Sequence, residues 1–209
     1  MTGLDREERD AALAANPALG ELRELARSCR ACHLWRRATQ TVFGDGPRSA
    51  QLLVVGEQPG SSEDLEGAPF VGPAGRLLDR ALVDAGIDRT RVYVTNVVKH
   101  FKWRRARSGK KRLHDKPSRG EVEACRPWLE AEVARISPRL IVCLGATASQ
   151  ALLGRTFRVT QGHGEVIDSD IGPVLATIHP SAILRAGDDR ESLYESLAND
   201  LRTAANWLR

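Results

Sequence analysis

Apolar runs alternate with amphipathic segments along most of the chain. Four apolar, largely β-branched runs predict buried strands over residues 51–55, 91–98, 139–145 and 173–179. The spacing of apolar residues predicts helices over residues 6–28 (interrupted by Pro17), 72–86, 119–136, 146–154 and 190–208. Strands that alternate with helices are typical of a parallel sheet covered on both faces. We therefore expect an α/β fold with three layers, α/β/α, around a central four-stranded parallel sheet.

Polar side chains follow three of the predicted strands at the point where each strand ends. Glu57 and Gln58 follow the first strand, Asn96 lies near the end of the second, and His179 ends the fourth. Ligands of parallel sheets bind at the carboxyl ends of the strands. Each residue alone has an ordinary structural explanation, such as a solvated Glu in a turn or a His that caps a loop. Their shared position predicts a functional site at this edge.

Composition is consistent with one globular domain over residues 1–209. Of these 209 residues, 42% are hydrophobic and 28% are charged, which argues against long disorder. We expect residues 1–8 to be a flexible N-terminus. The sequence contains no apolar run of the roughly 20 residues that a membrane span needs, and no apolar stretch of a secretory signal at its N-terminus. These features predict a cytoplasmic protein with no membrane partner.

The charge is concentrated in one segment, a predicted basic loop over residues 101–117. Between Lys99 and Lys116 there are nine Lys or Arg residues and one acid, Asp115, so this stretch carries +8. The whole chain carries +4, and the remainder is therefore mildly acidic at −4. Phe101 and Trp103 lie beside the basic residues, a combination that favours a nucleic-acid partner. The alternative is a solvated basic loop without a binding role.

Three of the four cysteines have the spacing of a metal site. Cys29 and Cys32 form a C-x-x-C motif at the end of the first helix, and Cys125 lies within a later helix. Cys143 lies in a buried strand and is interpreted as a core residue. His100, beside the basic run, is the best candidate for a fourth ligand. Zinc, an iron–sulfur cluster and redox chemistry all remain open at this point, although the redox interpretation is weak.

Six motifs in order resemble the uracil-DNA glycosylase superfamily: GEQPG, PFVGPAGRLLD, TNVVKH, EACRPWL, LGATA and HPSAILR. The resemblance is closest to the iron–sulfur family 4 branch and extends from about Cys29 to Trp207. The basic loop ends in KKRLH, which resembles the KRRIH core of the X-type glycosylases, a branch that stays covalently attached to DNA after removing uracil. The chain departs from ordinary family 4 members by having His100 where they have Cys.

The resemblance implies a cofactor and a base pocket. It implies a [4Fe–4S] cluster held by three thiols and one imidazole, which are Cys29, Cys32, Cys125 and His100. Zinc is the main alternative metal, since these ligands also suit it. In the pocket, Phe70 would stack on uracil, Asn96 would hydrogen-bond its polar edge, and the backbone of Gln58 would close the pocket.

The resemblance also implies a reaction. His179 would stabilise the departing uracil anion, and His114 would capture the sugar C1′ through one ring nitrogen while Glu57 holds the other. Alternatively, Glu57 would position a water or stabilise the sugar cation, and His114 would contact a phosphate. The implied DNA contacts come from side chains of the basic loop and of the HPSAILR motif: Lys110, Lys111, Arg112, Ser181 and Arg185.

Three competing functions stay open. A conventional multi-turnover uracil-DNA glycosylase would use the basic loop only to bind DNA. A non-catalytic iron–sulfur protein would bind nucleic acid without releasing uracil, and a zinc protein would have no role on DNA. The expected partner is uracil-containing DNA, single-stranded by preference, and the expected oligomeric state is a monomer.

Overall fold

A computed structural model of the chain describes residues 3–106, 109 and 112–209. Its helices and strands occur in the following order: α1 (Arg6–Ala14), α2 (Leu19–Arg27), β1 (Leu52–Gly56), α3 (Ser61–Glu66), α4 (Pro73–Asp84), β2 (Val92–Asn96), β3 (Trp103–Arg105), β4 (Arg112–His114), α5 (Arg119–Ile136), β5 (Leu140–Leu144), α6 (Gly145–Leu153), α7 (Val159–Gly162), β6 (Val166–Ser169), β7 (Gly172–Thr177), α8 (Pro180–Ile183) and α9 (Arg190–Trp207). Short 3₁₀ helices lie at His33–Arg36, Arg89–Arg91 and Gly187–Asp189.

The main sheet has the strand order β2-β1-β5-β7-β6. The first four strands are parallel, so the predicted four-stranded parallel sheet is confirmed. The structure adds β6, which pairs with β7 in the antiparallel direction at the edge. The sequence pattern missed β6 because three of its four residues are only partly buried and Asp168 is exposed, and an edge strand needs no continuous apolar run.

Helices cover both faces of the sheet. Leu53 and Val55 of β1 belong to an apolar layer that contains Trp128 of α5, whereas Val54 belongs to a second layer with Leu78 of α4. Neighbouring side chains of a strand point to opposite faces, so β1 contributes to both layers. The three-layer α/β/α arrangement is thereby confirmed. Among the described residues, no helix is both long and apolar enough to cross a bilayer.

The N-terminal region differs from its prediction in two ways. The predicted helix over residues 6–28 is divided into α1 and α2, since proline interrupts a helix and Asn16 adopts a left-handed φ of 58°. The sequence predicts a flexible N-terminus over residues 1–8; residues 1 and 2 lie outside the described residues, and residues 3–8 contact the rest of the chain. The backbone of Leu4 bonds to Ser28 and Arg30, and Asp5 and Glu8 form a capping box that opens α1.

The basic loop also contains regular structure that the sequence did not predict. β3 and β4 form an antiparallel hairpin in which Trp103 is opposite His114 and Arg105 is opposite Arg112. Side chains of directly opposed residues lie on one face of a sheet. The hairpin therefore presents Trp103, Arg112 and His114 on the same side.

Candidate active site

A cavity of about 340 Å³ lies at the carboxyl ends of β1, β2 and β5. It is lined by eight of the residues that the sequence singles out, which are Glu57, Gln58, Phe70, Asn96, His114, His179, Ser181 and Arg185. A larger groove of about 800 Å³ runs along α5 and α6 and shares Lys116 and Thr147 with this cavity. The smaller cavity is lined by the imidazoles of His114 and His179 and is the candidate active site.

The apolar end of the cavity is formed where Gly56 allows two side chains to approach the backbone. A Cβ atom at Gly56 would lie 2.4 Å from Asn96 Oδ1 and 2.8 Å from Phe70 Cζ, so any larger residue would displace both. Phe70 has a φ of 60°, and a Cβ at Gly75 would lie 1.6 Å from the Phe70 carbonyl oxygen. Glu63 holds the same loop by accepting a 2.7 Å hydrogen bond from the Gly72 N–H. The result is an aromatic ring next to a buried amide.

His179 is held in one tautomer at the opposite wall. The backbone N–H of Ser181 donates to His179 Nδ1 at 3.0 Å, so the ring proton of the neutral imidazole is on Nε2. Burial lowers the pKa of His179 to about 4, and the positive charge of Arg185 and the protonated form of His114 act in the same direction. Because a buried imidazole without an anionic partner loses its proton easily, His179 is a neutral hydrogen-bond donor at pH 7.

His114 lies at the mouth of the cavity beside two side chains of the GEQPG segment. Its Nε2 is 3.4 Å from Glu57 Oε1 and 2.8 Å from Gln58 Nε2. The sequence-based expectation places Glu57 on the ring nitrogen that does not react; in the structure, Glu57 and Gln58 both lie beside Nε2. Burial lowers the pKa of His114, although the Glu57 carboxylate opposes this effect. An imidazole with a lowered pKa is mostly neutral at pH 7, the form that can act as a nucleophile.

Three contacts in this region were not predicted from the sequence. The hydroxyl of Thr147 donates a short hydrogen bond to Glu57 Oε2 and so orients the carboxylate. Thr147 belongs to the LGATA motif at the end of β5. This motif was the feature of the sequence from which a role for Thr147 could have been predicted. The side chain of Gln58 accepts from the Lys102 N–H at 2.9 Å, and its amide nitrogen lies 3.0 Å from the Asp115 carbonyl oxygen. Gln58 therefore fastens the base of the hairpin, beyond the backbone role expected for it.

The predicted DNA-binding residues have different environments. Ser181 and Arg185 line the cavity. Arg112 is engaged within the protein, since its guanidinium is 2.6 Å from a carboxylate oxygen of the fully buried Asp64 and also donates to Ser61. The side chain of Arg112 therefore anchors β4 to the core and does not point to a phosphate-binding role. Lys110 and Lys111 lie outside the described residues.

The sequence comparisons identify the family. A profile described as the Uracil DNA glycosylase superfamily matches residues 43–202. The chain belongs to the uracil-DNA glycosylase superfamily.

Three curated members of this superfamily illustrate the relation. A "Type-4 uracil-DNA glycosylase" of Pyrobaculum aerophilum is 36% identical over 188 residues, covering 86% of this chain and 91% of the relative. One of the same name from Thermotoga maritima is 36% identical over 188 residues, covering 89% and 92%. A "Type-5 uracil-DNA glycosylase" of Pyrobaculum aerophilum is 30% identical over 207 residues, covering 90% and 86%. The family 4 relation is confirmed, whereas the X-type resemblance remains a prediction.

The cluster ligands implied by the family 4 resemblance have suitable donor chemistry. The indole N–H of Trp128 donates to Cys29 Sγ and the Lys99 N–H donates to Cys125 Sγ, each at 3.2 Å, and cluster thiolates accept bonds of this kind. Cys29 and His100 line one cavity of about 300 Å³.

The arrangement of these ligands is not that of a coordination sphere. His100 Nε2 is 2.9 Å from the Thr41 hydroxyl. Within the described ranges, no three His, Cys, Asp or Glu residues form a group that could hold a metal ion. The donor set fits a cluster in type, and the cluster itself is a proposal. Cys143 is fully buried in β5, where the sequence predicts a core residue.

Proposed function

We propose that this glycosylase-family chain removes uracil from DNA. The observation that carries the proposal is the cavity in which the Phe70 ring, the Asn96 amide and the neutral imidazole of His179 face one space of about 340 Å³. A pyrimidine base inside a duplex cannot reach such a cavity, so the nucleotide has to be flipped out or unpaired. The names of the relatives agree with this substrate.

Recognition of uracil follows from the polar atoms of Asn96. This side chain is 3% exposed, and an amide can pair with both the O4 and the N3–H of uracil. Cytosine carries an amino group in place of O4 and would leave a buried donor against a donor. A buried unmatched polar group costs about 1–3 kcal/mol, which is a basis for discrimination. Phe70 contributes a stacking surface that every pyrimidine accepts.

Departure of the base is assisted by His179. Breaking the bond between C1′ and uracil N1 develops positive charge on the sugar and negative charge on the base, as in glycoside hydrolysis. The Nε2–H of His179 would donate to uracil O2 and stabilise that anion. One such donor in a preorganised site contributes about 10²–10³-fold to the rate.

The sugar then has to be captured by a nucleophile. In the conventional course, a water held by Glu57 adds to C1′, its proton passes to the carboxylate, and the abasic DNA is released for further turnover. Thr147 orients Glu57 for this role, and the type-4 names of the relatives favour this hydrolytic course.

A second course is favoured by the position of His114. Its Nε2 lies in the cavity beside Glu57. The Nε2 lone pair, which accepts a hydrogen bond from the Gln58 amide in the structure, would exchange that bond for the one to C1′. The Nε2–C1′ bond would form as the C1′–N1 bond breaks and its electron pair leaves on uracil. The Nδ1 proton of the resulting imidazolium would pass to water, and the enzyme would stay attached to the DNA after a single turnover.

One experiment separates these courses. The protein is mixed with a uracil-containing single-stranded oligonucleotide, uracil release is measured, and a denaturing gel shows whether protein and DNA are joined. Thymine-containing DNA and the His114→Ala variant are the controls. Uracil release with free, alkali-labile DNA supports hydrolysis. A heat-stable band with the wild type, lost in His114→Ala, supports capture. If the wild type releases no uracil, the glycosylase proposal is wrong and a binding protein is the better interpretation.

We further propose that a [4Fe–4S] cluster is held by Cys29, Cys32, Cys125 and His100, with zinc as the alternative. When bound, the cluster would supply a structural link between α2, α5 and the segment after β2. Iron, sulfide and zinc analysis of the purified protein, with the visible spectrum, decides between the two metals. A monomer that prefers single strands is also proposed, and sedimentation of the protein alone tests its oligomeric state.

A further inference from the structure

Aromatic rings and guanidinium groups form a row of contacts that leads away from the candidate active site. The rings of His114 and Phe101 have centroids 6.2 Å apart and are tilted by 48°. Arg112 Cζ lies 5.4 Å from the Phe101 centroid and 5.7 Å from that of Trp103. Arg37 Cζ then lies 4.4 Å from the Trp103 centroid. This row of contacts therefore connects the mouth of the cavity to residues of the segment before β1.

The row of contacts continues into a second group of arginine and tryptophan. The indole N–H of Trp103 donates to the carbonyl oxygen of Arg37, the residue that follows the 3₁₀ helix His33–Arg36, at 2.9 Å. Around Trp35 of that helix, Arg30 Cζ lies 4.6 Å and Arg36 Cζ 5.7 Å from the ring centroid. We call these residues the Arg–Trp surface: Arg30, Trp35, Arg36, Arg37 and Trp103.

The charge of this surface is not neutralised by the protein. Arg30, Arg36 and Arg37 are exposed, and within the described part of the chain none of them is in an ion pair with a carboxylate. Arg112 differs, because the buried Asp64 neutralises it. Contact with the indoles restricts the arginine side chains, so less conformational entropy is lost when a ligand binds them.

We infer that the Arg–Trp surface binds the unpaired nucleotides that flank the uracil. This inference rests on the proposed function for the identity of the ligand as DNA. Guanidinium groups bind phosphates, and planar groups held at a surface stack on bases that are not already stacked in a duplex. The surface is continuous with the hairpin that carries His114, so a strand whose uracil occupies the cavity can extend across it.

The test uses uracil-free strands, so that binding is measured apart from chemistry. Fluorescence anisotropy compares oligonucleotides of about 20 and about six nucleotides over a range of salt concentrations. For the long strand, we expect Arg36→Gln/Arg37→Gln to weaken binding about tenfold or more and to lower the slope of log K against log salt by about 1.4, which corresponds to about 0.7 for each lost phosphate contact. The short strand should be affected much less.

Two further variants make the result specific. Arg48→Gln/Arg91→Gln removes two exposed arginines near the amino ends of the strands, on the far side of the sheet from the cavity, and should bind like the wild type. Arg36→Lys/Arg37→Lys keeps the charge and loses the planar groups, so it should keep the salt slope while losing part of the affinity. An unchanged affinity in the Gln variant overturns the inference. Equal losses on duplex and single strands overturn the assignment to unpaired nucleotides.

Uracil release distinguishes this inference from the proposed function. With enzyme in excess, the Gln variant should need at least tenfold more enzyme than the wild type to reach half of its maximal rate on the long strand. Absence of uracil release from both strands by the wild type contradicts the proposed function, whatever the binding data show. Wild-type release together with unchanged binding by the Gln variant contradicts the Arg–Trp surface alone.

Discussion

Arg112 reaches from β4 to Asp64 in α3, and their side-chain nitrogen and oxygen are 2.6 Å apart. Asp64 is fully buried and also accepts hydrogen bonds from the backbone and hydroxyl of Thr39. The position of Arg112 in a basic loop predicts a contact with DNA. In the structure, Arg112 instead attaches the hairpin to the core. The position of His114, two residues further on, depends on this pair.

Replacing Arg112 should therefore destabilise the protein and move His114. Arg112→Ala leaves the buried Asp64 carboxylate without its ionic partner, and removing one member of a buried pair costs about 3–5 kcal/mol. Urea denaturation should show a loss toward the lower end of this range, since Arg112 is 21% exposed. The double variant Arg112→Ala/Asp64→Asn should recover part of the loss. A loss below 0.5 kcal/mol, the usual limit for surface changes, would show that the pair contributes little.

A methyl group at Gly56 should disable the base pocket without unfolding the chain. Gly56→Ala places a Cβ against Asn96 Oδ1 and the Phe70 ring, so uracil release should fall about 10²-fold or more. Gly20→Ala in α2 is the matched control, because its Cβ would meet no atom within 4 Å. The control should keep full activity and gain up to about 1 kcal/mol of stability. Wild-type rates in Gly56→Ala would contradict the proposed pocket.

Changing the amide of Asn96 to a carboxylate should alter the choice of base. Asn96→Asp loses the donor for uracil O4 and gains an acceptor for the amino group of cytosine, so uracil release should fall about 10²-fold while cytosine release becomes measurable. Product analysis on matched uracil and cytosine strands measures both. Loss of uracil release that leaves the ratio of the two rates unchanged would remove Asn96 from base selection.

The buried imidazole of His179 should make stability fall in mild acid. Its pKa is about 4 in the folded protein and near 6.5 when unfolded, so between these values the unfolded state binds a proton that the folded state does not. Stability is therefore unaffected by this group above pH 6.5 and falls as the pH is lowered toward 4, by up to about 1.4 kcal/mol per pH unit.

Urea midpoints at pH 5, 6 and 7.5 measure this effect, with His179→Asn as the comparison. The variant should lose less stability between pH 7.5 and 5 than the wild type does. Identical pH profiles would mean that His179 is protonated equally in both states, contrary to its environment.

The sheet was predictable because its strands are buried on both faces and so must be apolar throughout. The carboxyl-end residues Glu57, Asn96 and His179 followed from the same argument, since parallel strands bring their ends to one edge. The sequence alone could not predict that Arg112 pairs with Asp64, because 48 residues separate them and both belong to ordinary polar stretches. Nor could it show which atoms of Gln58 face the hairpin, a matter of side-chain geometry.

The bonds that Gln58 makes to Lys102 and Asp115 join the two ends of the hairpin segment at the cavity. Arg105 and Arg112, the last paired residues of the hairpin, are therefore held at fixed positions. Lengthening a chain segment between two fixed positions costs conformational entropy that grows only slowly with its length. The sequence between Arg105 and Arg112 can therefore accept insertions, deletions and changes of composition while the imidazole of His114 keeps its place. The sequence between the two strands of the hairpin can therefore change in evolution independently of the position of His114 at the cavity.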